Sequence, residues 1–340
     1  MFEEGIYGEE SGRVRVERGP VSLVLSAWKG GSSQPEVCLR AAGLVDDILK
    51  AITAVLPSLS RPWPQVDPGQ FLRAERGSDA LGEEWANADA WRAIHLVPLR
   101  MWEAARDTEQ PEMTPLCAVA GAVSDSLADI VFAILGGMDS NPEESVRVVV
   151  SNGGDVSLRL TPGTMASVGL VPALSAAGAD EVVTIREEDP VRGVATSGLG
   201  GRGLTQGVAD AVTVFAGTGA LADALATRLC NASRLESPRV RSVPAGLLRP
   251  GCDIARLPVT AQVGVLTREE KETALAGITQ AAKPLFESGK LHALRASVQG
   301  MSRWFPEALP ANNSGGFHGR ADSQDCHCCR GNPQRREERS

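Results

Sequence analysis

Apolar and polar residues alternate along the first part of the chain. In 12–28, Val14 and Val16, then Val21, Leu23 and Leu25, occupy every second position around a Gly19–Pro20 turn. That period predicts two strands. From 36 to 56 the apolar positions move to helical spacing and predict one amphipathic helix ending before Pro57. Prolines 57, 62, 64 and 68 then predict an extended surface connection. The charged stretch 70–110 reads as helical around 98–107 and otherwise as an insertion or lid. Residues 114–136 give the longest helical pattern, with small residues through its first half. Alternation returns over 145–160 and is interrupted by "NGGD", whose glycines supply the positive φ values that a tight hairpin needs.

Further strand patterns lie at 165–171, 181–185 and 209–216, a helix at 219–232, and a closing element at 297–304. No internal repeat stands out. Strands and helices do not alternate as a doubly wound parallel sheet requires, so the fold class is α+β with antiparallel sheet. The expected organisation is a single domain over 1–311, with a low-complexity polar tail, 312–340, disordered.

Composition narrows the partners. The chain has 340 residues and a formal net charge of −8, which argues against a broad nucleic-acid surface, since phosphate backbones need clustered Lys and Arg. An acidic protein still binds an anionic nucleotide where a cation neutralises the local repulsion. No uninterrupted apolar run reaches the roughly 18 residues of a membrane span. The acidic start of the sequence carries no apolar export core, so the cytoplasm is the default location. Cys38, Cys117, Cys230 and Cys252 stand apart and read as thiols. Cys326, Cys328 and Cys329 crowd too closely in the tail for a structural zinc site.

Two stretches invite chemistry. "GLGGRG", 198–203, fits the dinucleotide fingerprint letter for letter, but the residues after it run toward a strand instead of opening a helix. The remaining reading is a loop of small residues with free backbone amides. In "ADALAT", 222–227, Asp223 and Thr227 share a helix face at i, i+4. One reading is half of a hard-cation site; the other is an ordinary helix start, with Asp favoured by the dipole and Thr bonding back to a carbonyl.

Four motifs stand in order: "AVAGAVSD" (118–125), "NGGD" (152–155), "VATSG" (194–198) and "ADALAT" (222–227). Together they resemble the ApbE superfamily of FAD:protein FMN transferases, and most of all its shorter, functionally uncharacterised branch, over roughly residues 14–300. The resemblance implies that Gly121 and Asp125 match the glycine and aspartate of a buried helix. It places Asn152, Gly153, Gly154, Thr196, Ser197 and Gly198 near a bound flavin dinucleotide, FAD. It implies Mg²⁺ held by Asp223, Thr227 and a backbone carbonyl near Val119, offsetting diphosphate charge.

The departures are specific. The transferases carry His-x-x-Asp-Pro-x-Thr-Gly before the metal helix, whereas here that interval is "LGGRGLTQGVADAVTV". The four histidines, His95, His292, His318 and His327, lie elsewhere, and Ala120 stands where the family has a lysine. General-base candidates are then Asp125, Asp155 or Asp210, with Asp210 read as capping or solvating a strand end. Arg202 either pairs with a phosphate as a fork-shaped donor or faces solvent. The expected function is Mg²⁺-dependent binding of FAD or a related nucleotide, with flavin transfer, nucleotidyl transfer or diphosphate hydrolysis at that site. The alternatives are a non-catalytic scaffold or assembly factor on the same fold, and a small-molecule hydrolase or ring-modifying enzyme using the same pocket.

Overall fold

The computed structural model describes residues 5–72, 88–137 and 144–307. The expected tail, the three tail cysteines and the 73–87 part of the expected insertion lie outside the described residues.

The strands are β1 Gly5–Gly8, β2 Val14–Arg18, β3 Val21–Lys29, β4 Ser32–Ser33, β5 Val146–Asn152, β6 Asp155–Leu160, β7 Met165–Leu170, β8 Glu181–Arg186, β9 Gly193–Ser197, β10 Ala211–Ala216, β11 Val240–Pro244, β12 Pro258–Val263, β13 Ala293–Val298 and β14 Met301–Phe305. The helices are α1 Pro35–Ala42, α2 Val45–Ala54, α3 Leu56–Leu59, α4 Gly69–Leu72, α5 Ala88–His95, α6 Val97–Asp107, α7 Val119–Ile134, α8 Gly219–Asn231, α9 Ala245–Leu248 and α10 Arg268–Glu287. One antiparallel sheet runs β1-β2-β3-β5-β6-β9-β10-β13-β14, with β4 beside β3; β7–β8 and β11–β12 form separate pairs. The expected α+β class with antiparallel sheet is therefore the one the chain builds.

The large sheet consists of two halves on one plan. Hairpin β2–β3, helices through α7, and hairpin β5–β6 make the first; hairpin β9–β10, helices α8 to α10, and hairpin β13–β14 make the second. In each, the second strand of one hairpin pairs with the first strand of the other. The halves meet along a short β6–β9 seam, Val156 opposite Val194 and Ser157 opposite Gly193. The plan is invisible in sequence because the intervening helices differ in number and length.

Helices cover one face of the sheet. The first half packs Leu23, Leu25, Val148 and Val150 against Ile48, Ile94, Met101, Leu127 and Val131; the second packs Val212, Val214 and Leu294 against Leu225, Leu229, Leu275 and Ile278. On the opposite face β7–β8 closes over Val156, Leu158 and Phe215. The helix with its preceding turn, Pro115–Ile134, is long and apolar enough to cross a membrane. Here its apolar residues serve the interior, because α7 lies between the sheet, α8 and the first-half helices.

Where α7 and α8 cross, their backbones touch. A Cβ on Gly121 would sit 2.1 Å from the carbonyl oxygen of Gly219, and one on Gly193 2.1 Å from that of Thr218. No side chain fits at these positions, which fixes the two helix N-termini against each other and against the seam.

Three expectations are corrected. The single helix expected over 36–56 is two, broken at Gly43–Leu44. The expected extended connection over 57–69 holds α3 and a 3₁₀ turn at Trp63–Gln65, because proline is tolerated in a first helical turn. The longest helix is α10, not the segment at 114–136, where a 3₁₀ turn over Pro115–Ala118 leads into α7. The marker of α10 is a capping box: Thr267 accepts from the Glu270 amide while the Glu270 carboxylate accepts from the Thr267 amide.

Candidate functional site

The site forms where the halves meet, at the N-termini of α7 and α8. Both helices open with the same pentad pattern, Gly-Ala-x-x-Asp, at 121–125 and 219–223. At i, i+4 from a glycine at the crossing, each aspartate reaches the start of the other helix. Asp125 accepts the Gly219 amide at 3.0 Å and the Ala220 amide at 2.9 Å. Asp223 accepts the Gly121 amide at 3.0 Å, and the Ala120 amide adds to it. Each carboxylate thus satisfies otherwise orphaned donors at a positive helix end.

The two aspartates then part company. Asp125 is only 2% exposed and also pairs with Arg159 at 3.3 Å. Arg159 in turn holds Asp129 at 2.6 Å, which reaches Arg100 at 2.7 Å. Burial works against the charge on Asp129, yet the two arginines hold its carboxyl below the usual range. Asp125 belongs to this buried network.

Asp223 is partly exposed and lies within electrostatic reach of Asp155. Burial first, then repulsion from Asp155, pushes the Asp223 carboxyl well above its ordinary value, against the pull of the two amides. Burial raises Asp155 to about 7, opposed by the Thr196 amide, which donates at 3.1 Å, and by the Arg202 guanidinium. Two carboxylates thus stand near each other by the N-termini of α7 and α8, with Arg202 beside Asp155.

The other expected residues surround this pair. Asn152 accepts the Ser22 amide and donates to the Ala120 carbonyl at 3.4 Å, tying the β5–β6 turn to α7. Gly153 and Gly154 form that turn at φ +66° and +115°. The Arg202 guanidinium lies directly over it, 2.9 Å from where a Gly153 Cβ would be, and donates to the Pro20 carbonyl at 3.1 Å. Thr196 shares a hydroxyl contact with Thr213 at 2.9 Å. Ser197 hydrogen-bonds the Cys230 thiol, and Gly198 passes too close to the Asp210 carbonyl for any Cβ. Val119 begins α7, next to the amides that Asp223 binds, and Thr227 lies one turn beyond Asp223. Asp210 accepts the Gln299 amide and so caps the β13–β14 turn. The "GLGGRG" loop joins the antiparallel strands β9 and β10 and meets no helix N-terminus of its own.

Sequence reasoning missed four contributors. Arg159 sits at an ordinary strand position and carries no local signal. Thr114 and Asp253, hydrogen-bonded to each other, bring the β11–β12 arm to the entrance of α7. Burial first, then the Asp223 and Asp253 carboxylates, push the Cys117 thiol well above its ordinary value. Among the described residues no three His, Cys, Asp or Glu side chains are grouped to hold a metal. A cation here would take its remaining ligands from hydroxyl, carbonyl, water or a bound molecule.

The raised Asp155 carboxyl sets a pH dependence. Its folded pKa lies above the ordinary 3.8, so between about pH 4 and 7 the folded chain keeps a proton that the unfolded chain has lost. Stability from this group is therefore present at acid pH and falls as pH rises toward 7. Without divalent cations, thermal midpoints are expected to decline over that interval in the wild type. In Asp155→Asn the decline is smaller; an unchanged decline refutes the assignment.

Comparison with known proteins gives the family. The sequence profile of the family described as AbpE bacteria matches residues 6–304. A UPF0280 protein of Methanocaldococcus jannaschii is 34% identical over 133 residues, which is 38% of this chain and 53% of that protein. A UPF0280 protein of Methanopyrus kandleri is 36% identical over 154 residues, 42% of this chain and 56% of that one. The chain thus matches about half the length of these curated relatives. The crystal structure of the ApbE protein from Thermotoga maritima aligns with a TM-score of 0.40 at 13% identity, covering 88% of this chain and 96% of that one.

Proposed function

Because the chain belongs to the family described as AbpE bacteria, we propose that it binds FAD or a related nucleotide with Mg²⁺, at the recess between the N-termini of α7 and α8. The observation that carries this reading is the Asp155–Asp223 pair beside Arg202: two carboxylates destabilised by burial, one of them also by repulsion from the other. A divalent cation relieves such crowding, and these oxygen donors suit a hard ion that keeps few protein ligands. Asp223, Thr227 and the carbonyl near Val119 would supply its protein oxygen donors, with Asp155 within electrostatic reach of Asp223. When bound, Mg²⁺ supplies charge neutralisation for a diphosphate.

The chain's own residues take the other roles. Arg202, packed over the Gly153–Gly154 turn, offers its remaining N–H donors to phosphate oxygens. Asp155, beside Asp223 and Arg202, is the carboxylate suited to accept or return a proton in transfer or hydrolysis at the diphosphate. Asp125 acts through position alone, by holding the start of α8 on which Asp223 stands.

A second reading has its own support. Asp223 caps α7, a structural task sufficient to retain it in a scaffold without chemistry. Calorimetric titration of FAD separates the two. We expect saturable binding with Mg²⁺ present and at least tenfold weaker binding with chelator. No binding at saturating FAD with Mg²⁺ overturns the proposal and leaves the scaffold reading.

A further inference from the structure

The β11–β12 arm packs Val240 and Val263 against the second-half core, but its tip beside Arg202 and Thr114 is placed otherwise. At its tip Leu247 is 74% exposed and Leu248 49% exposed. Polar tethers place it instead. At its base the Thr260 amide donates to the Thr205 carbonyl at 2.8 Å. At its tip Arg249 donates through Nη2 to the Arg202 carbonyl at 2.5 Å, and Asp253 accepts from the Thr114 hydroxyl. The last two contacts fall on opposite rims: Arg202 stands by Asp155, and Thr114 lies just before α7, whose amides hold Asp223.

The loop at 198–207 contains five glycines and so has little intrinsic preference for one conformation. The Arg202 guanidinium lies over Gly153 and donates to the Pro20 carbonyl, while its backbone carbonyl accepts from Arg249. A donor aimed at an anion binds well only when its geometry is set beforehand.

We propose that Arg249 is a positioning residue for Arg202, and that through it the arm sets affinity for the diphosphate part of the ligand. The inference rests on the reading of the recess as a nucleotide site. Arg249 itself contributes a backbone restraint, and Arg202 makes the anion contact.

The test is calorimetry on the full chain with three probes, each with Mg²⁺: FAD, inorganic pyrophosphate, and riboflavin, which carries no phosphate. Arg249→Ala is expected to weaken FAD and pyrophosphate about tenfold and riboflavin by less than twofold. Arg249→Lys, which keeps a donor, recovers part of the loss. In the double variant with Arg202→Ala, binding is no weaker than in Arg202→Ala alone, because removing the contact removes the group that Arg249 positions. Additive losses, or an equal loss for riboflavin, overturn the inference. If FAD fails to bind the wild type while pyrophosphate binds and depends on Arg249, the inference stands and the flavin reading falls. If neither phosphate ligand binds the wild type, the inference is overturned as well.

Discussion

Asp223→Asn is expected to abolish Mg²⁺-dependent FAD binding, with affinity falling about 100-fold or more, while the protein stays folded. The amide oxygen of asparagine still accepts from Gly121, so the cap on α7 survives. The loss is one negative charge on a cation ligand, an effect worth about 2–3 kcal/mol by the measure of tenfold per 1.4 kcal/mol. The variant is also expected to be as stable as the wild type, or more stable, when cations are absent. Removing this charge ends its repulsion with Asp155. Calorimetry and thermal melts on the same samples check both halves. Wild-type affinity in the variant would mean that Asp223 is a helix cap and nothing more.

The second large effect concerns folding. Asp125→Ala strips two amides at the start of α8 and leaves Arg159 short of one of its two carboxylates in a buried setting. Breaking a buried ion pair from one side costs about 3–5 kcal/mol, and loss of a helix cap about 1 kcal/mol. The cavity left by so small a truncation is minor beside these terms. Urea denaturation is expected to show a midpoint shift of that size, or failure of the chain to accumulate folded. Asp125→Asn, which keeps an acceptor but loses the charge facing Arg159, falls between the two. A shift under about 1 kcal/mol for Asp125→Ala would refute the buried-network assignment. The two variants separate the aspartate proposed to hold the cation from the one that holds the start of α8.

Asp125 and Asp223 also mark how far sequence reasoning reaches. Both occur as Gly-Ala-x-x-Asp at helix starts, and nothing local to either pentad separates a buried cap from a partly exposed carboxylate. Arg159 makes the difference for Asp125, and it arrives from a strand 34 residues away. For Asp223 the decisive neighbour is Asp155, which stands 68 positions earlier in the numbering and is brought close by the β6–β9 seam. Asn152 bonds a carbonyl of α7, the Thr196 amide bonds Asp155, and Asp223 lies within electrostatic reach of Asp155. The role of Arg249 has no local marker, because it acts through a backbone carbonyl 47 residues away.

By itself the sequence determined the elements whose period and punctuation are local. These are the hairpins at Gly19–Pro20 and Gly153–Gly154, the helices read over 114–136 and 219–232 and built over Val119–Ile134 and Gly219–Asn231, and the α+β class with antiparallel sheet. A two-residue or 3.6-residue period is written into consecutive positions, so it survives without knowledge of neighbours. Tertiary structure alone decided the pairing of the two halves. It also decided the reciprocal capping at the α7–α8 crossing. Each of these depends on contacts between residues tens of positions apart, where burial and charge are set by the neighbours that the fold brings together.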